Sequence, residues 1–162
     1  MSQDPNSYVG CKNWSGDLKL TSSAFSDGGE IPREYGYKNG NKVPPLTVSG
    51  IPEGTESLAL IMDDPDAMEA VGKVWVHWIA WNMDPTNTEL ENLDKIEGMT
   101  DFGEVGYGGP APPDKRHTYV FKLYALQSAP GPFYSKSTKA DLEKAMEAHI
   151  IEQTQLTGTY AP

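Results

Sequence analysis

Residues 74–81 read Val74-Trp75-Val76-His77-Trp78-Ile79-Ala80-Trp81, an apolar run interrupted by one histidine. Successive side chains of an extended chain point to opposite faces. One face of such a strand carries Trp75, His77, Ile79 and Trp81, and the other carries Val76, Trp78 and Ala80. Both faces are apolar, which predicts a central strand covered on each side. A histidine there is costly to bury unless it is hydrogen-bonded, so His77 is either a satisfied core histidine, the commoner outcome, or part of a site.

Segments of similar character lie on both sides of this run. Ser57 to Met62 and Thr118 to Leu126 have the composition and length of strands, as does the full segment Val74 to Met83. Leu18 to Leu20 and Leu46 to Val48 are weaker strand candidates. The 16 glycines and 13 prolines separate these segments with turns, and no helix is expected in the first half. The pattern predicts mainly antiparallel β structure and argues against a doubly wound α/β fold, which would alternate strands with helices.

One helix is predicted, near the C-terminus. Thr138 is placed to cap it, and Asp141 three residues later completes a capping-box pattern. One face of this helix would carry Leu142, Ala145, Met146, His149 and Ile150. We expect the helix to lie at the periphery of the β structure.

The composition indicates one acidic domain. The chain has 162 residues and a formal net charge of -10, from 23 acidic and 13 basic side chains. A chain of this length buries about 70% of its unfolded surface and needs neither disulfides nor structural metal; its single cysteine is Cys11. Few clustered basic residues argue against nucleic-acid binding. No apolar stretch reaches the ~20 residues of a membrane helix, and residues 1–10 do not resemble a signal peptide, so a cytoplasmic protein is expected.

An acidic segment follows the first strong strand. Asp63-Asp64-Pro65-Asp66 comes directly after the apolar residues 58–62. Strand ends that enter loops are common places for function. Considered alone, however, an acidic turn that contains proline is more often simply solvated.

Two further segments carry polar groups that suit a binding site. Residues 103–113 are rich in glycine and proline, and backbone N–H groups in such a loop can form an anion-binding concavity. Turns between strands are a sufficient explanation of the same glycines, and the segment is neither a P-loop nor a dinucleotide fingerprint. His117 and Tyr119 are two residues apart at a strand start, so an imidazole and a phenol share one face.

In order and spacing, these segments resemble the signature blocks of the phosphatidylethanolamine-binding protein family, in its bacterial and archaeal branch of Raf-kinase-inhibitor-like proteins. The resemblance rests on Asp64-Pro65-Asp66-Ala67, on Trp75-Val76-His77-Trp78, and on Gly108-Gly109-Pro110-Ala111-Pro112-Pro113 with His117 and Tyr119. It extends almost end to end through Leu20-Thr21-Ser22, Gly29-Glu30-Ile31-Pro32, Pro44-Pro45-Leu46, Gly50-Ile51-Pro52-Glu53-Gly54 and Gly158-Thr159-Tyr160. Three places depart from the family pattern: Met68 replaces a proline, Asp114-Lys115-Arg116 replaces a segment that usually includes glycine, and Thr118 replaces an arginine.

The resemblance implies a fold and a function. The fold is a mainly β, antiparallel β-sandwich with Greek-key character and a few peripheral helices, including one at the C-terminus. Residues 17–162 would form this single domain, after an N-terminal extension of residues 1–16. The function is that of a non-catalytic binding protein, without cofactor or metal, which takes a small anion or a phospholipid head group and modulates a kinase or protease partner. Prokaryotic relatives are often dimers, so a homodimer is one expected state.

The resemblance also implies the ligand-binding residues. By motif position they are Asp64, Asp66, Trp75, His77, Gly109, Pro110, His117 and Tyr119. Two imidazoles, a phenol and loop N–H groups can donate hydrogen bonds to an oxyanion. The carboxylates can hold an imidazole as a charged donor or meet an ammonium group on a zwitterionic ligand. Affinity for an anion is therefore expected to weaken as pH rises through the histidine range.

Three other functions fit parts of the same pattern. Two histidines and two carboxylates would suit a divalent cation, which makes a metal-dependent enzyme the main alternative. A hydrolase is disfavoured, because no Gly-x-Ser-x-Gly elbow occurs. A purely structural interaction domain predicts that His77→Ala and His117→Ala leave every partner contact unchanged.

Overall fold

The computed structural model describes residues 16–131 and 136–162, which form a mainly β structure. The strands are β1 (Lys19–Thr21), β2 (Gly29–Glu30), β3 (Thr47–Ser49), β4 (Ser57–Asp64), β5 (Trp75–Met83), β6 (Ile96–Glu97), β7 (His117–Leu126) and β8 (Ile150–Tyr160). The α-helices are α1 (Ala67–Val71) and α2 (Lys139–Met146), and short 3-10 helices occur at Arg33–Tyr35 and Leu90–Asn92. The mainly β class is confirmed, and each of the five strands predicted from the sequence is present with ends within two residues of those expected.

Six of these strands form one sheet, in the order β2-β8-β7-β4-β5-β6. Its long strands pair antiparallel, whereas the short β2 pairs parallel with β8. β1 and β3 form a separate antiparallel pair, and its buried residues Leu20 and Val48 join the core of the large sheet. The second layer of the predicted sandwich is therefore small, with two strands in the part of the chain described.

The central strands β4 and β5 are covered on both faces. On one face, Leu60 and Trp78 belong to the apolar cluster that includes the β1–β3 pair. On the other, Ile61 and Trp81 pack in a cluster with Leu142 of α2. All eight residues of β4 are buried, and burying an aliphatic side chain contributes about 1.5–3 kcal/mol. The buried strand β4 is thus a rigid support for the loop that follows it.

A β-bulge changes which side chains of β5 share a face of the sheet. Trp78 and Val76 pair with consecutive residues of β4, so His77 between them is an extra residue. The His77 ring lies 5.1 Å from the ring of Tyr119, and both Tyr119 and Trp78 belong to the same cluster. Ile79 belongs to the opposite cluster. The prediction that His77 shares a face with Ile79 is therefore wrong, because regular alternation does not allow for the bulge.

The predicted helix is present but shorter than expected. Its capping box is confirmed: the backbone N–H of Asp141 donates to Thr138 Oγ1 at 3.3 Å, and the Thr138 N–H donates to the Asp141 carboxylate at 3.0 Å. The helix ends at Met146, and β8 begins at Ile150. The predicted helical positions of His149 and Ile150 are therefore wrong. Pairing of β8 along the whole of β7 decides the structure of this segment, against a helical spacing that continues past Met146.

One short helix in the first half was not expected. α1 has five residues, Ala67–Val71, and follows Asp66. Gly72 caps its C-terminus, and the φ of +81° at this glycine is typical of a left-handed C-cap. Too few residues are involved for a helical period to be visible in the sequence.

Two expectations concern the ends and the environment of the chain. The predicted N-terminal extension, residues 1–16, lies outside the described residues except for Gly16, and so does Cys11. Of the helices in the described ranges, none combines the length and the apolar character that crossing a membrane requires.

Candidate ligand-binding site

The last residue of β4 and the first residues of β5 and β7 meet at one end of the large sheet. β4 runs antiparallel to both of its neighbours, so its last residue, Asp64, lies beside the first residues of β5 and β7. Asp64 pairs directly with Trp75, and His117 and Tyr119 are the first and third residues of β7. The sheet topology therefore brings together three segments that are far apart along the chain.

A cavity of about 190 Å³ lies at this end of the large sheet. Its lining residues are Asp64, Ala67, Ala70, Val71, Trp75, His77, Phe102, Ala111 and Pro113. Asp64, Trp75 and His77 were predicted as site residues, and they supply the polar side-chain groups of the lining. A mostly apolar wall with a few placed polar groups is typical of small-molecule sites.

Phe102 links the aromatic part of this wall. Its ring makes edge contacts with Trp75, at 5.7 Å, and with His77, at 5.2 Å between centroids. On its other side it stacks on Tyr37 at 4.1 Å. Sequence reasoning missed Phe102, because a phenylalanine in a glycine-rich loop gives no sign of the strand against which it packs.

His117 is held between two carboxylates. Its Nδ1 lies 2.6 Å from Asp64 Oδ2, and its Nε2 lies 2.7 Å from Asp114 Oδ1. A carboxylate accepts hydrogen bonds, so this geometry suits an imidazole that donates from both nitrogens. Burial acts to lower the pKa of His117, but the hydrogen bonds and charges of Asp64 and Asp114 outweigh it and raise the pKa. The raised pKa and the two carboxylate partners both favour the protonated imidazole, which donates from both nitrogens.

Asp114 was not predicted as a site residue. It lies three residues before His117, in the segment where this chain departs from the family pattern. Burial acts to raise the pKa of Asp114, whereas the hydrogen bond from His117 lowers it, and the net direction is downward. In the sequence, the feature that could have indicated its role is its position close to a candidate site histidine.

The surroundings of His77, in contrast, favour the neutral form of the ring. Its side chain is 2% exposed, and its Nδ1 lies 2.8 Å from the carbonyl oxygen of Gly108. Because a carbonyl accepts, Nδ1 carries the proton and Nε2 of the neutral ring is an acceptor. Burial lowers the pKa of His77, against the raising effects of the Gly108 carbonyl and of Asp64. The cavity therefore contains a neutral imidazole with an unprotonated nitrogen.

Tyr119 has a buried hydroxyl close to Asp64 and to the backbone of Ala111. The residue is 0% exposed, and its oxygen meets no strict hydrogen-bond geometry within residues 16–131 and 136–162. Burial raises the pKa of this hydroxyl, and the charge and hydrogen bonding of Asp64 raise it further, while a hydrogen bond from the backbone of Ala111 lowers it. Tyr119 is not a lining residue of the cavity, so it lies behind the wall that Asp64 and Ala111 form.

Asp66 supports the cavity from outside its lining. Its backbone N–H donates to Asp64 Oδ1 at 2.9 Å, and its carboxylate accepts the N–H of Thr118 at 2.9 Å. These bonds fix the entry to α1 and the start of β7 relative to each other. Asp66 is therefore near the other predicted residues, although it does not line the cavity.

Gly109 and Pro110 also lie behind the lining. The Gly109 N–H donates to Asn41 Oδ1 at 2.7 Å, and the Pro110 carbonyl accepts the N–H of Tyr37 at 2.9 Å. A Cβ on Gly109 would lie 2.0 Å from the carbonyl oxygen of Tyr35, so a close backbone approach requires glycine here. The structure places these two residues in the support of the loop and not on the cavity surface.

Two larger cavities lack this combination of groups. One of about 440 Å³ lies between β1 and β8, and none of the predicted site residues is in its lining. Another, of about 300 Å³, is lined by Pro110 with Arg33 and Lys38, and it has no histidine in its lining. We therefore place the candidate site at the cavity of about 190 Å³, where the buried titratable groups Asp64 and His77 coincide.

The alternative of a metal-dependent enzyme finds no support in the arrangement of donors. Across the described residues, no group of three or more His, Cys, Asp or Glu side chains has an arrangement that could hold a metal ion. Both ring nitrogens of His117 are hydrogen-bonded to carboxylates, which leaves no lone pair for coordination.

Comparison with known proteins identifies the class. The family model described as phosphatidylethanolamine-binding protein matches residues 21–161. The chain therefore belongs to the phosphatidylethanolamine-binding protein family.

Its relatives include bacterial and archaeal proteins. A UPF0098 protein of Chlamydia pneumoniae is 40% identical over 148 residues, which cover 88% of this chain and 98% of the relative. A UPF0098 protein of Archaeoglobus fulgidus is 38% identical over 148 residues, which cover 86% of this chain; the match spans about half of that longer relative, 50%.

Two solved structures resemble the fold closely. The structure described as a putative phosphatidylethanolamine-binding protein homolog, CT736 of Chlamydia trachomatis, has a TM-score of 0.83 and 38% identity, and the match covers 90% of this chain and 98% of that one. E. coli YbcL, described as a new member of the mammalian family, has a TM-score of 0.81 and 33% identity, with 89% and 98% of the two chains covered.

Proposed function

We propose that the protein binds a small anion or a phospholipid head group in the cavity beside Asp64. The observation that carries the proposal is the cavity lining, in which Asp64, Trp75 and His77 supply a few polar groups within an apolar wall. The indole N–H of Trp75 can donate a hydrogen bond to a ligand oxygen, and Asp64 and the neutral His77 ring can accept one from a ligand O–H or N–H. A wall of this kind is typical of small-molecule sites.

The cavity volume favours a small ligand. Drug-sized ligands occupy pockets of roughly 300–1,000 Å³, whereas this cavity measures about 190 Å³. It suits a phosphate ion or a head group, with the acyl chains of a lipid remaining outside.

We propose binding and not catalysis as the activity. The cavity lining in the described residues contains no serine, threonine, cysteine or lysine side chain. His117, the histidine with a raised pKa, has both nitrogens bonded to carboxylates, so it has no free nitrogen to act as a base. Incubation with generic ester substrates tests this point, and turnover that disappears in His77→Ala would contradict it.

Calorimetric titration with inorganic phosphate and with phosphoethanolamine tests the proposed ligand. We expect both to bind, and we expect Trp75→Phe, which removes the indole N–H from the lining, to weaken binding by about two- to tenfold, the value of one hydrogen bond. Trp81→Phe is the matched control, since Trp81 lies in the cluster on the opposite face of the sheet. Failure of both compounds to bind, or equal effects of the two variants, would contradict the proposal.

Family membership adds two hypotheses about partners. We propose that the protein modulates a kinase or a protease, and that it pairs with a second copy of itself. Enzyme assays with and without the protein test the first hypothesis, and sedimentation equilibrium tests the second. An unchanged enzyme rate, or a monomer at every concentration, would exclude the corresponding hypothesis.

A further inference from the structure

The charges around the cavity are unusual for an anion site. Asp64 is the charged side chain of the lining, and neither lysine nor arginine occurs there among the described residues. The nearby Lys73 ammonium is 2.7 Å from the Asp101 carboxylate, and Lys115 is paired with Glu69. These cations are thus already matched by carboxylates at the rim.

Protonation of His117 does not change the balance. A protonated His117 carries one positive charge between Asp64 and Asp114, so the trio has a net charge of about -1 when both carboxylates are ionised. Asp66 adds a further carboxylate, bonded to the N–H of Thr118. An anion without a proton would therefore meet a negative wall, and His117 has no N–H free to receive it.

The hydrogen-bonding groups of the wall include acceptors as well as donors. Both Asp64 oxygens accept hydrogen bonds, from His117 and from the Asp66 N–H, and each retains a second acceptor site. His77 Nε2 is an acceptor in the neutral ring, because Nδ1 donates to Gly108. Among the side chains of the lining, the donor is the indole N–H of Trp75.

We infer that the pocket selects an oxyanion that carries its own hydrogen-bond donor and rejects one that carries none. The inference rests on the proposed function and specifies its ligand class. The ligand would donate an O–H or N–H to Asp64 or to His77, and its other oxygens would accept from the indole N–H of Trp75. Hydrogen phosphate species supply a P–O–H, and phosphoethanolamine supplies an ammonium as well. Sulfate and dimethyl phosphate, which have no proton near neutral pH, would place lone pairs against both acceptors.

The expected selectivity follows from the cost of unpaired buried groups. Leaving one buried acceptor against a ligand oxygen costs about 1–3 kcal/mol, and sites with fixed polar groups reject unmatched ligands strongly. We expect sulfate and dimethyl phosphate to bind at least tenfold more weakly than inorganic phosphate at pH 5.5. This ratio separates the inference from simple protonation of His77, which would strengthen the binding of sulfate and phosphate alike.

Titration of the wild-type protein at pH 5.5 with four compounds tests the inference: inorganic phosphate, sulfate, dimethyl phosphate and glycerophosphoethanolamine. Binding of phosphate but not of sulfate or dimethyl phosphate supports it. Equal binding of phosphate, sulfate and dimethyl phosphate overturns the inference and leaves the proposed function intact, whereas no binding by any compound overturns both. Glycerophosphoethanolamine is a diester whose donor is its ammonium, so its binding indicates a lipid head group as the source, and its exclusion beside bound phosphate indicates a free phosphate or a monoester.

A variant gives a second test on the same atoms. Asp64→Asn replaces the carboxylate with an amide that can donate, and we expect the ratio of phosphate to dimethyl phosphate affinity, which compares two monoanions at pH 5.5, to fall at least threefold. Asp84→Asn makes the same change of net charge in a turn, where Asp84 accepts hydrogen bonds from Thr86, and should leave the ratio unchanged. An unchanged ratio in folded Asp64→Asn would overturn the role of Asp64; if that variant does not fold, the wild-type comparison decides.

Discussion

At the scale of single residues, His77 and His117 show how neighbours set the state of the same side chain. Both are almost fully buried, and burial acts to lower the pKa of each. The ring of His77 bonds to a carbonyl, and its pKa is below the ordinary value of histidine. The two carboxylates beside His117 raise the pKa of that ring above the ordinary value. The surroundings therefore favour a neutral acceptor at His77 and a protonated ring at His117, at the same end of the sheet.

Asp114→Asn should lower the pKa of His117. The substitution removes one of the two carboxylates that hold the imidazolium, and a neutral amide favours the charged ring less. NMR titration of the imidazole signals measures the change, with Glu69→Gln as a control that removes a rim carboxylate paired with Lys115. An equal fall in both variants would show that general charge, and not the Asp114 contact, sets the pKa.

The same contact makes stability depend on pH. The folded pKa of His117 is raised above its unfolded value of about 6.5, so its contribution is complete below that value and is lost as pH rises through the folded pKa. We expect the free energy of unfolding to fall over that range, and to fall less in Asp114→Asn. Urea unfolding at a series of pH values measures this, and parallel curves for the two proteins would contradict it.

Much of the site was predictable from the sequence at this scale, and part of it was not. Asp64, Trp75 and His77 stand beside one another around the cavity because each lies at the end of a recognisable strand. Phe102 and Asp114 reach the same place from loops, where sequence alone gives no register. The bulge at His77 was equally hidden, since it depends on which residue of β4 faces which residue of β5.

At the scale of elements, α2 covers one face of the sheet and is fastened at its first turn. The capping box at Thr138 satisfies N–H groups that the helix itself cannot. Lys139 adds a 2.7 Å contact with the buried Asp63 of β4, which Lys122 of β7 also reaches at 3.1 Å. Leu142 and Met146 then cover the apolar face. The helix is thus tied to the sheet by both polar and apolar contacts.

Thr138→Ala should destabilise the protein by about 1 kcal/mol, the usual cost of losing such a cap. Thr138→Ser keeps the hydroxyl and should lose much less. Chemical denaturation of the three proteins measures the differences. If alanine and serine are equally tolerated, the capping bond contributes nothing to global stability.

The prediction of α2 and the failure to predict β8 have one physical cause. A capping box and a helical period are local features, visible in a single segment. β8 contains Glu152, Gln153, Gln155 and Gly158, which have weak strand preference, and it forms because β7 offers a complete partner. Strands of this kind are determined by their neighbours and not by their own composition.

At the scale of the whole molecule, net charge is the dominant electrostatic property. The formal charge of -10 at pH 7 implies repulsion within the folded chain. Salt at 0.1 M reduces the screening length to about 10 Å, which weakens repulsion between distant carboxylates more than the close pairs described above.

We therefore expect the melting temperature at pH 7 to rise between 10 mM and 150 mM sodium chloride. Differential scanning fluorimetry measures the change, and sucrose of the same osmolality controls for effects other than screening. A melting temperature that falls with salt would mean that the close ion pairs outweigh the general repulsion.

The position of β8 within the sheet has a consequence for biosynthesis. β8 comprises residues 150–160, yet it lies inside the sheet, between β2 and β7. Until the ribosome has released those residues, β7 presents an open edge of unpaired backbone groups, which is the kind of surface that recruits other strands. The nascent chain is therefore exposed to aggregation in the interval between the emergence of β7 and that of β8.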